Sequence, residues 1–281
     1  MIFSDSKKNN EYFSRGYTVL PLLNESQVDE LLKIFNQNYS LEKFPSVYNT
    51  IVNASEREIS FINDSINTII YPSLTKVIFD FKIVASAFMI KKPEADSYLN
   101  FHIDPTMTYK HLNNVALWIP LCDIDETNGL FYLEPYTKYM IDYYTPSMPS
   151  PFFGYEELIR QNSICFKFKK GEALFFDNRI LHSTGKNESG TTRVAIVTKL
   201  LDAGAPLATP YYEAEKSINR QVSLFEHRRN IFLTGEFRNS TPPPDSVYIE
   251  YLDHLPMRYS QEEYLARRNF YYNQFKDTLY A

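Results

Sequence analysis

Residues 100–110, NFHIDPTMTYK, set an imidazole and a carboxylate two places apart, His102 and Asp104. Positions i and i+2 of a strand project from one face, so at the end of a strand this pair can grip a single cation. His-x-Asp alone is a weak signal, and on its own a chance pairing with no metal is the better account of it. Two later features change that balance. In GEALFFDNRILHSTGKNESGTTRVAIV (residues 171–197), His182 ends one apolar run and Arg193 opens the next, across a polar, Gly-containing loop. If the two runs pair as a hairpin, His182 and Arg193 lie roughly opposite each other. An arginine leading into VAIV is costly to bury unless an anion meets it. Taken singly, His182 reads as a hydrogen-bonded core histidine and Arg193 as a strand-end charge reaching solvent. Taken with His102 and Asp104, they read as a site.

Two imidazoles and one carboxylate on one face of an octahedral metal leave three adjacent positions open, the preference of a non-haem Fe(II) oxygenase. Zinc is the rival. With this donor set it is usually four-coordinate, and no His-Glu-x-x-His helix is present. The arginine favours iron, because 2-oxoglutarate chelated through its keto-acid end has a far carboxylate that needs a fixed bidentate cation.

These residues need strands to hold them. From about Lys76 to Leu201 the chain is a series of short apolar runs broken by turn residues, the texture of an all-β sandwich or barrel. Asn128-Gly129 falls between two runs and predicts a hairpin. VALWIPL is apolar at odd and even positions alike, so both its faces should be covered, one by the opposite sheet and one by helices from the first third of the chain. There, Tyr17–Leu20 is a β-prone run stopped by Pro21. A helix follows with Val28, Leu31, Leu32 and Phe35 on one face, capped by Asn24 or Ser26. Residues 143–161 interrupt the β texture as a long loop with about one helical turn, a candidate lid. Beyond Leu201 the β texture ends, and Ser260 with Glu263 in capping-box register predicts a terminal helix, a second candidate lid.

The bulk composition narrows the function classes. The chain has 281 residues, 44% hydrophobic and 22% charged, as in a folded globular protein. A net charge of −5 argues against nucleic acid as a partner. No leader-like segment or membrane-length apolar run is visible, and Cys122 and Cys165 read as two buried free thiols, so a cytoplasmic location is expected. The 22 Tyr and 21 Phe, with scattered carboxylates, suit a compact, partly cationic or polar small-molecule substrate. Oligomeric state is left open.

Together the motifs resemble the phytanoyl-CoA dioxygenase family of Fe(II)/2-oxoglutarate-dependent oxygenases. The resemblance rests on GYTVLPLL with its amphipathic helix, HID, ALWIPLCDIDETNGLFYLEP and GEALFFDNRILHSTGKNESGTTR, over roughly residues 11–201. It implies a mainly β fold with flanking helices and a double-stranded β-helix (jelly-roll, cupin-like) core. It also implies one domain over 1–281, with 202–281 as a C-terminal extension. By position, His102, Asp104 and His182 would be catalytic and bind iron. Arg193 would bind the distal carboxylate of 2-oxoglutarate, Thr184 would bond the same carboxylate, and Trp118 would lie beside the cosubstrate. Lys92 matches a lysine-proline pair of the family but reads better as a solvated lysine. The family's frequent Pro-Gly-Ser-His is replaced by Pro135–Lys138, outside the metal site. With Asp104 present, hydroxylation is favoured over halogenation. The expected reaction consumes Fe(II)-bound 2-oxoglutarate and O2 and hydroxylates an unactivated C–H of an amino-acid- or alkaloid-like metabolite, giving succinate and CO2. The alternatives are a jelly roll that binds metal or ligand without turnover, a different metal-dependent cupin enzyme, or an oxygenase acting on an acyl thioester. Tyr109, Phe131 and Arg179 are candidate pocket residues.

Overall fold

Alternation of inward and outward side chains along β12 (Arg193–Asp202) shows how the chain is layered. Val194, Ile196 and Leu200 join a core cluster with the amino-terminal helices, whereas Arg193, Val197 and Lys199 line an internal cavity. The computed structural model describes all residues except 41, 43, 147, 213–221, 253–257 and 280–281, and only the backbone of 276–279.

The chain runs β1 (Ile2–Phe3), α1 (Ser6–Arg15), β2 (Tyr17–Pro21), α2 (Glu25–Asn38), β3 (Val47–Asn49), α3 (Thr50–Asn53), α4 (Glu56–Val77) and β4 (Ile78–Phe79). The central strands are β5 (Phe81–Lys91), β6 (Leu99–His102), β7 (Asn114–Pro120), β8 (Phe131–Glu134), β9 (Ile164–Phe166), β10 (Glu172–Asp177), β11 (Leu181–Thr184) and β12, with α5 (Glu156–Asn162) before β9. β13 (Ala208–Tyr212), β14 (Val222–Glu226), β15 (Val247–Leu252) and α6 (Gln261–Leu279) follow.

Two antiparallel sheets form the core, a six-stranded one in the order β2-β10-β7-β12-β5-β3 and a four-stranded one in the order β6-β11-β8-β9. From β5 to β8 and again from β9 to β12, each strand lies in the opposite sheet from the one before it, which is the winding of a double-stranded β-helix. This winding corrects two sequence-based expectations. Asn128-Gly129 does not close a hairpin, because β7 and β8 belong to different sheets; the turn carries the chain across instead. Nor do the runs bearing His182 and Arg193 pair, since β11 bonds β6 and β8 while β12 bonds β5 and β7. The two residues face a common cavity from opposite sheets.

VALWIPL is buried along its whole length, as expected. Val115, Leu117 and Ile119 pack with α2 and α4, while Ala116 and Trp118 meet Phe131 and Leu133 of the smaller sheet. α2 is capped by Asn24 through a reciprocal pair with Gln27. α4 buries Ile59, Ile62, Ile66, Ile70 and Leu74 at helical spacing and starts at a Ser55–Glu58 capping box. Its Asn63 Oδ1 accepts from the backbone N–H of Ser86 at 2.9 Å, pinning β5 to the helix.

Ser260 and Glu263 form the expected reciprocal cap of α6. The helix packs Tyr264 against Tyr136, Phe152, Tyr155 and Leu181, on the smaller sheet. There Arg268 Nε donates to buried Glu134 at 3.1 Å, and burial pushes that carboxyl up to about 7 against the pull of Arg268. Cys122 is half-buried and Cys165 exposed, both free, rather than two buried thiols. Cys165 lies in β9, an edge strand of the smaller sheet. Among the described residues no helix is long and apolar enough to cross a membrane.

Ile66 is fully buried between α4 and the larger sheet. Ile66→Ala is therefore expected to lower unfolding stability by about 2–5 kcal/mol, read as a reduced denaturation midpoint. An unchanged midpoint would show that the helix layer does not brace the sheet.

Candidate functional site: a metal centre facing a buried arginine

His102 ends β6, and the antiparallel pairing of β6 with β11 puts His182 directly opposite it. Their ring centroids are 4.2 Å apart. Asp104, just past the strand end, brings Oδ2 to 3.7 Å from His182 Nε2. One potential ligand atom from each of the three residues lies within 4.8 Å of the others.

Both rings are oriented by the backbone two residues earlier. His102 Nδ1 donates to Asn100 O at 2.8 Å and His182 Nδ1 to Ile180 O at 2.9 Å, which leaves each Nε2 lone pair for a ligand. His182 is also stacked on Phe131 (5.7 Å, 3° between planes) and meets the edge of Phe176 at 4.7 Å. Burial, and then the neighbouring His102, push the His182 imidazole down to about 3. Burial alone would raise Asp104. The Lys199 ammonium and the two imidazoles outweigh it and hold the carboxyl down to about 2. A neutral His182 beside an ionised carboxylate is the protonation state that divalent-cation binding requires.

Arg193 is 1% exposed, and burial pushes its guanidinium down to about 10. Its Nη1 donates to Gly129 O at 2.6 Å and Asn128 O at 3.2 Å. Its Nε and Nη2 are buried with no partner among the described residues. Two free donors of one guanidinium match the two oxygens of a carboxylate. Trp118 covers the cation at 5.6 Å from its ring centre while packing on Phe131 and Phe168, so it is both core filler and cavity wall. The Asn128-Gly129 turn thus supplies the carbonyls that hold Arg193. Gly129 has φ +96°, and a Cβ there would come within 2.4 Å of Gly185 O. The residues present therefore fit both groups implied by their chemistry: a metal ion on His102, Asp104 and His182, and a dicarboxylate whose far end meets Arg193.

His102, Asp104, His182, Thr184, Trp118 and Arg193 all line one cavity of about 500 Å³. Thr184 Oγ1 is engaged, accepting from Lys91 Nζ at 2.7 Å, so its expected direct role is shared with that lysine. Lys91 carries no signal of its own in the sequence, where Lys92 is the residue that matches the lysine-proline pair. Lys92 pairs with Glu94, whereas Lys91 is in register with Arg193 and fully buried, its amine also donating to Gly185 O at 2.6 Å. Burial, with Arg193 alongside, pushes Lys91 down to about 6. Lys199 was missed as well: its Nζ pairs with Asp104 and donates to Asn178 Oδ1 at 3.1 Å. The signal was its period-two spacing from Arg193.

Of the candidate pocket residues, Phe131 lines the cavity. Tyr109 instead bonds Glu226 at 3.0 Å, and Arg179 is engaged by Asp177 through three contacts. From the 143–161 loop, whose residue 147 lies outside the described residues, only Tyr144 and Pro146 reach the wall; Phe152, Tyr155 and Ile159 are packed beneath α6. α6 contributes no residue to the described lining and packs on the smaller sheet. Phe232, Phe237 and Arg238, from the connection after β14, do contribute.

The family model for phytanoyl-CoA dioxygenase (PhyH) matches residues 61–195, a span that contains His102, Asp104, His182 and Arg193. Among solved structures, the non-heme alpha ketoglutarate dependent epimerase SnoN from nogalamycin biosynthesis is 14% identical over 72% of this chain and 84% of its own, with a TM-score of 0.51, a likeness of fold. EvdO2 from Micromonospora carbonacea var. aurantiaca is 17% identical over 71% of this chain and 91% of its own, with a TM-score of 0.49. No curated protein matches the chain.

Gly129→Ala is expected to displace the carbonyl cradle and weaken 2-oxoglutarate binding at least about tenfold, measured by calorimetry, because a Cβ cannot fit there. Gly190, with φ +77° but nothing within 4 Å, is the control: Gly190→Ala should leave that affinity within about twofold. Equal behaviour of the two variants would mean that the cradle does not position Arg193.

Proposed function

Residues 61–195 are a phytanoyl-CoA dioxygenase (PhyH) domain of the Fe(II)/2-oxoglutarate-dependent oxygenases, and from that premise we propose that this chain hydroxylates an unactivated C–H bond of a small metabolite. 2-Oxoglutarate and O2 are consumed, and succinate and CO2 leave with the alcohol. The observation that carries the reading is the joint presence, in one cavity, of three convergent ligand residues and a buried arginine with two unpartnered donors.

Bound iron supplies the activation of O2 that no side chain can provide. The protein's own groups do the rest. His102 and His182 present Nε2 atoms whose direction is set by Asn100 O and Ile180 O, and Asp104 presents its carboxylate. Arg193 binds the far carboxylate of 2-oxoglutarate through Nε and Nη2, held rigid by Gly129 O and Asn128 O and covered by Trp118. Lys91 and Thr184 form the polar wall beside it. The apolar side chains of Phe131, Phe176 and Val197 exclude water from the reacting region.

Desaturation, ring closure or epimerisation are further outcomes of the same C–H attack, and the geometry of the bound substrate decides among them. An acyl thioester is a poorer fit, since a coenzyme tail needs a cluster of cations and Arg238 is the one exposed cation among the described lining residues. A jelly roll that binds without turnover has no use for free guanidinium donors opposite a metal site.

Anaerobic titration with Fe(II) and 2-oxoglutarate tests the assignment. A weak visible charge-transfer band should form in the native protein and be absent in His182→Ala. Arg193→Met should raise the 2-oxoglutarate dissociation constant by about ten- to hundredfold, the loss of charged hydrogen bonds worth about 1.5–3 kcal/mol. A native protein that gives neither the band nor succinate on exposure to O2 is a binder instead.

A further inference from the structure

We propose that Lys199 is the substrate-binding cation of this cavity and that the substrate is a largely apolar molecule bearing one carboxylate. The inference builds on the oxygenase reading and names the class of molecule it acts on.

Position comes first. Arg193, Val197 and Lys199 share the inward face of β12. Six residues of strand separate the two cations by roughly 20 Å along the backbone. A five-carbon diacid has its far carboxylate taken by Arg193 and its keto-acid end taken by the metal, so it has no carboxylate left for Lys199, which sits beside Asp104. The space next to Lys199 is therefore left for a second molecule.

The charges lining the cavity point the same way. The charged residues of the described lining, apart from its histidines, are Asp104, Arg193, Lys199 and Arg238. Asp104 is already assigned to the metal, so no carboxylate remains to attract a cationic substrate. The many acidic residues in the sequence lie elsewhere. With a divalent ion and doubly charged 2-oxoglutarate bound, the two offset one another and Asp104 offsets Lys199. The charge of Arg193 is then in excess, before Arg238 is counted. A monoanion restores neutrality in a site whose other walls are mostly aromatic and aliphatic, where an uncompensated cation is expensive.

The donors of Lys199 are also arranged to receive such a group. An ammonium has three. One goes to Asp104 and one to Asn178 Oδ1, and the third has no partner among the described residues. Asn178 is 1% exposed and donates through Nδ2 to Pro105 O, so its oxygen is held toward the lysine. The Lys199 side chain is 11% exposed, enough to meet a ligand in the cavity and too little for bulk water to solvate it. At the cavity's outer end, exposed Arg238 is tied to Val52 O and Gly235 O.

The test compares acids with amides of the same shape: 4-phenylbutanoate with 4-phenylbutanamide, cyclohexylacetate with cyclohexylacetamide, and indole-3-acetate with indole-3-acetamide. Each is titrated calorimetrically into protein loaded anaerobically with Fe(II) and 2-oxoglutarate. At least one acid should bind tenfold or more tightly than its amide. Lys199→Met should erase that preference while leaving amide affinity unchanged, and Lys199→Arg should restore it. No acid binding, acids binding no better than amides, or a preference that survives Lys199→Met would each overturn the proposal. The native acid–amide comparison decides the substrate class even where Lys199→Met does not fold, and Lys199→Arg, which keeps the charge, then reads the lysine's part. The visible band is recorded first in every sample. Its absence from native protein counts against the oxygenase reading itself, whereas its loss in Lys199→Met alone assigns the lysine to holding Asp104 and overturns the substrate role.

Discussion

A guanidinium that is 1% exposed must find oxygen partners or give up its hydration for nothing, and the arrangement around Arg193 meets that demand only in part. Two carbonyls of the Asn128-Gly129 turn satisfy one nitrogen, Trp118 covers the face, and two donors remain open. The remaining need is met only by a ligand. The other parts of the cavity follow from this: the turn must pass close to Gly185, the smaller sheet must carry the histidines opposite, and the metal ligands must sit within one small molecule's length of the cation.

The chemistry was legible because it is local. His102 and Asp104 are two residues apart, and the spacing of His182 and Arg193 around a polar loop singled them out, so all four meet in one cavity. Connectivity was not legible. Both stretches taken for hairpins cross between sheets, because adjacent strands in this winding seldom pair with each other, and turn chemistry such as Asn-Gly reports a reversal of direction without naming the partner strand. The two buried lysines were missed for different reasons. Lys91 was masked by its neighbour Lys92, and only strand register tells which of the two points inward. Lys199 interrupts the apolar run shortly before Leu200 and Leu201 close it, where a lysine ordinarily reaches solvent.

The residues beyond β12 do more than extend the chain. Phe232 packs with Val84, Ala85 and Met107 and is thereby fixed against β5, so a segment with no motif of its own shapes the space next to the metal ligands. α3 and the β3 strand before it supply Asn49, Ile51 and Asn53 beside that segment, Ile51 packing against the same cluster as Phe232. The cavity therefore has a floor drawn from the central sheets and walls drawn from peripheral segments, which can vary without disturbing the ligand geometry.

The alternation of strands between sheets has a consequence for assembly. His102 and His182 belong to the smaller sheet, Arg193 and Lys199 to the larger, and eighty residues of chain separate the two histidines that sit side by side. Such distant contacts make ring closure slow and nearly all-or-none, so a half-collapsed chain presents neither the cation clamp nor the ion site in working order.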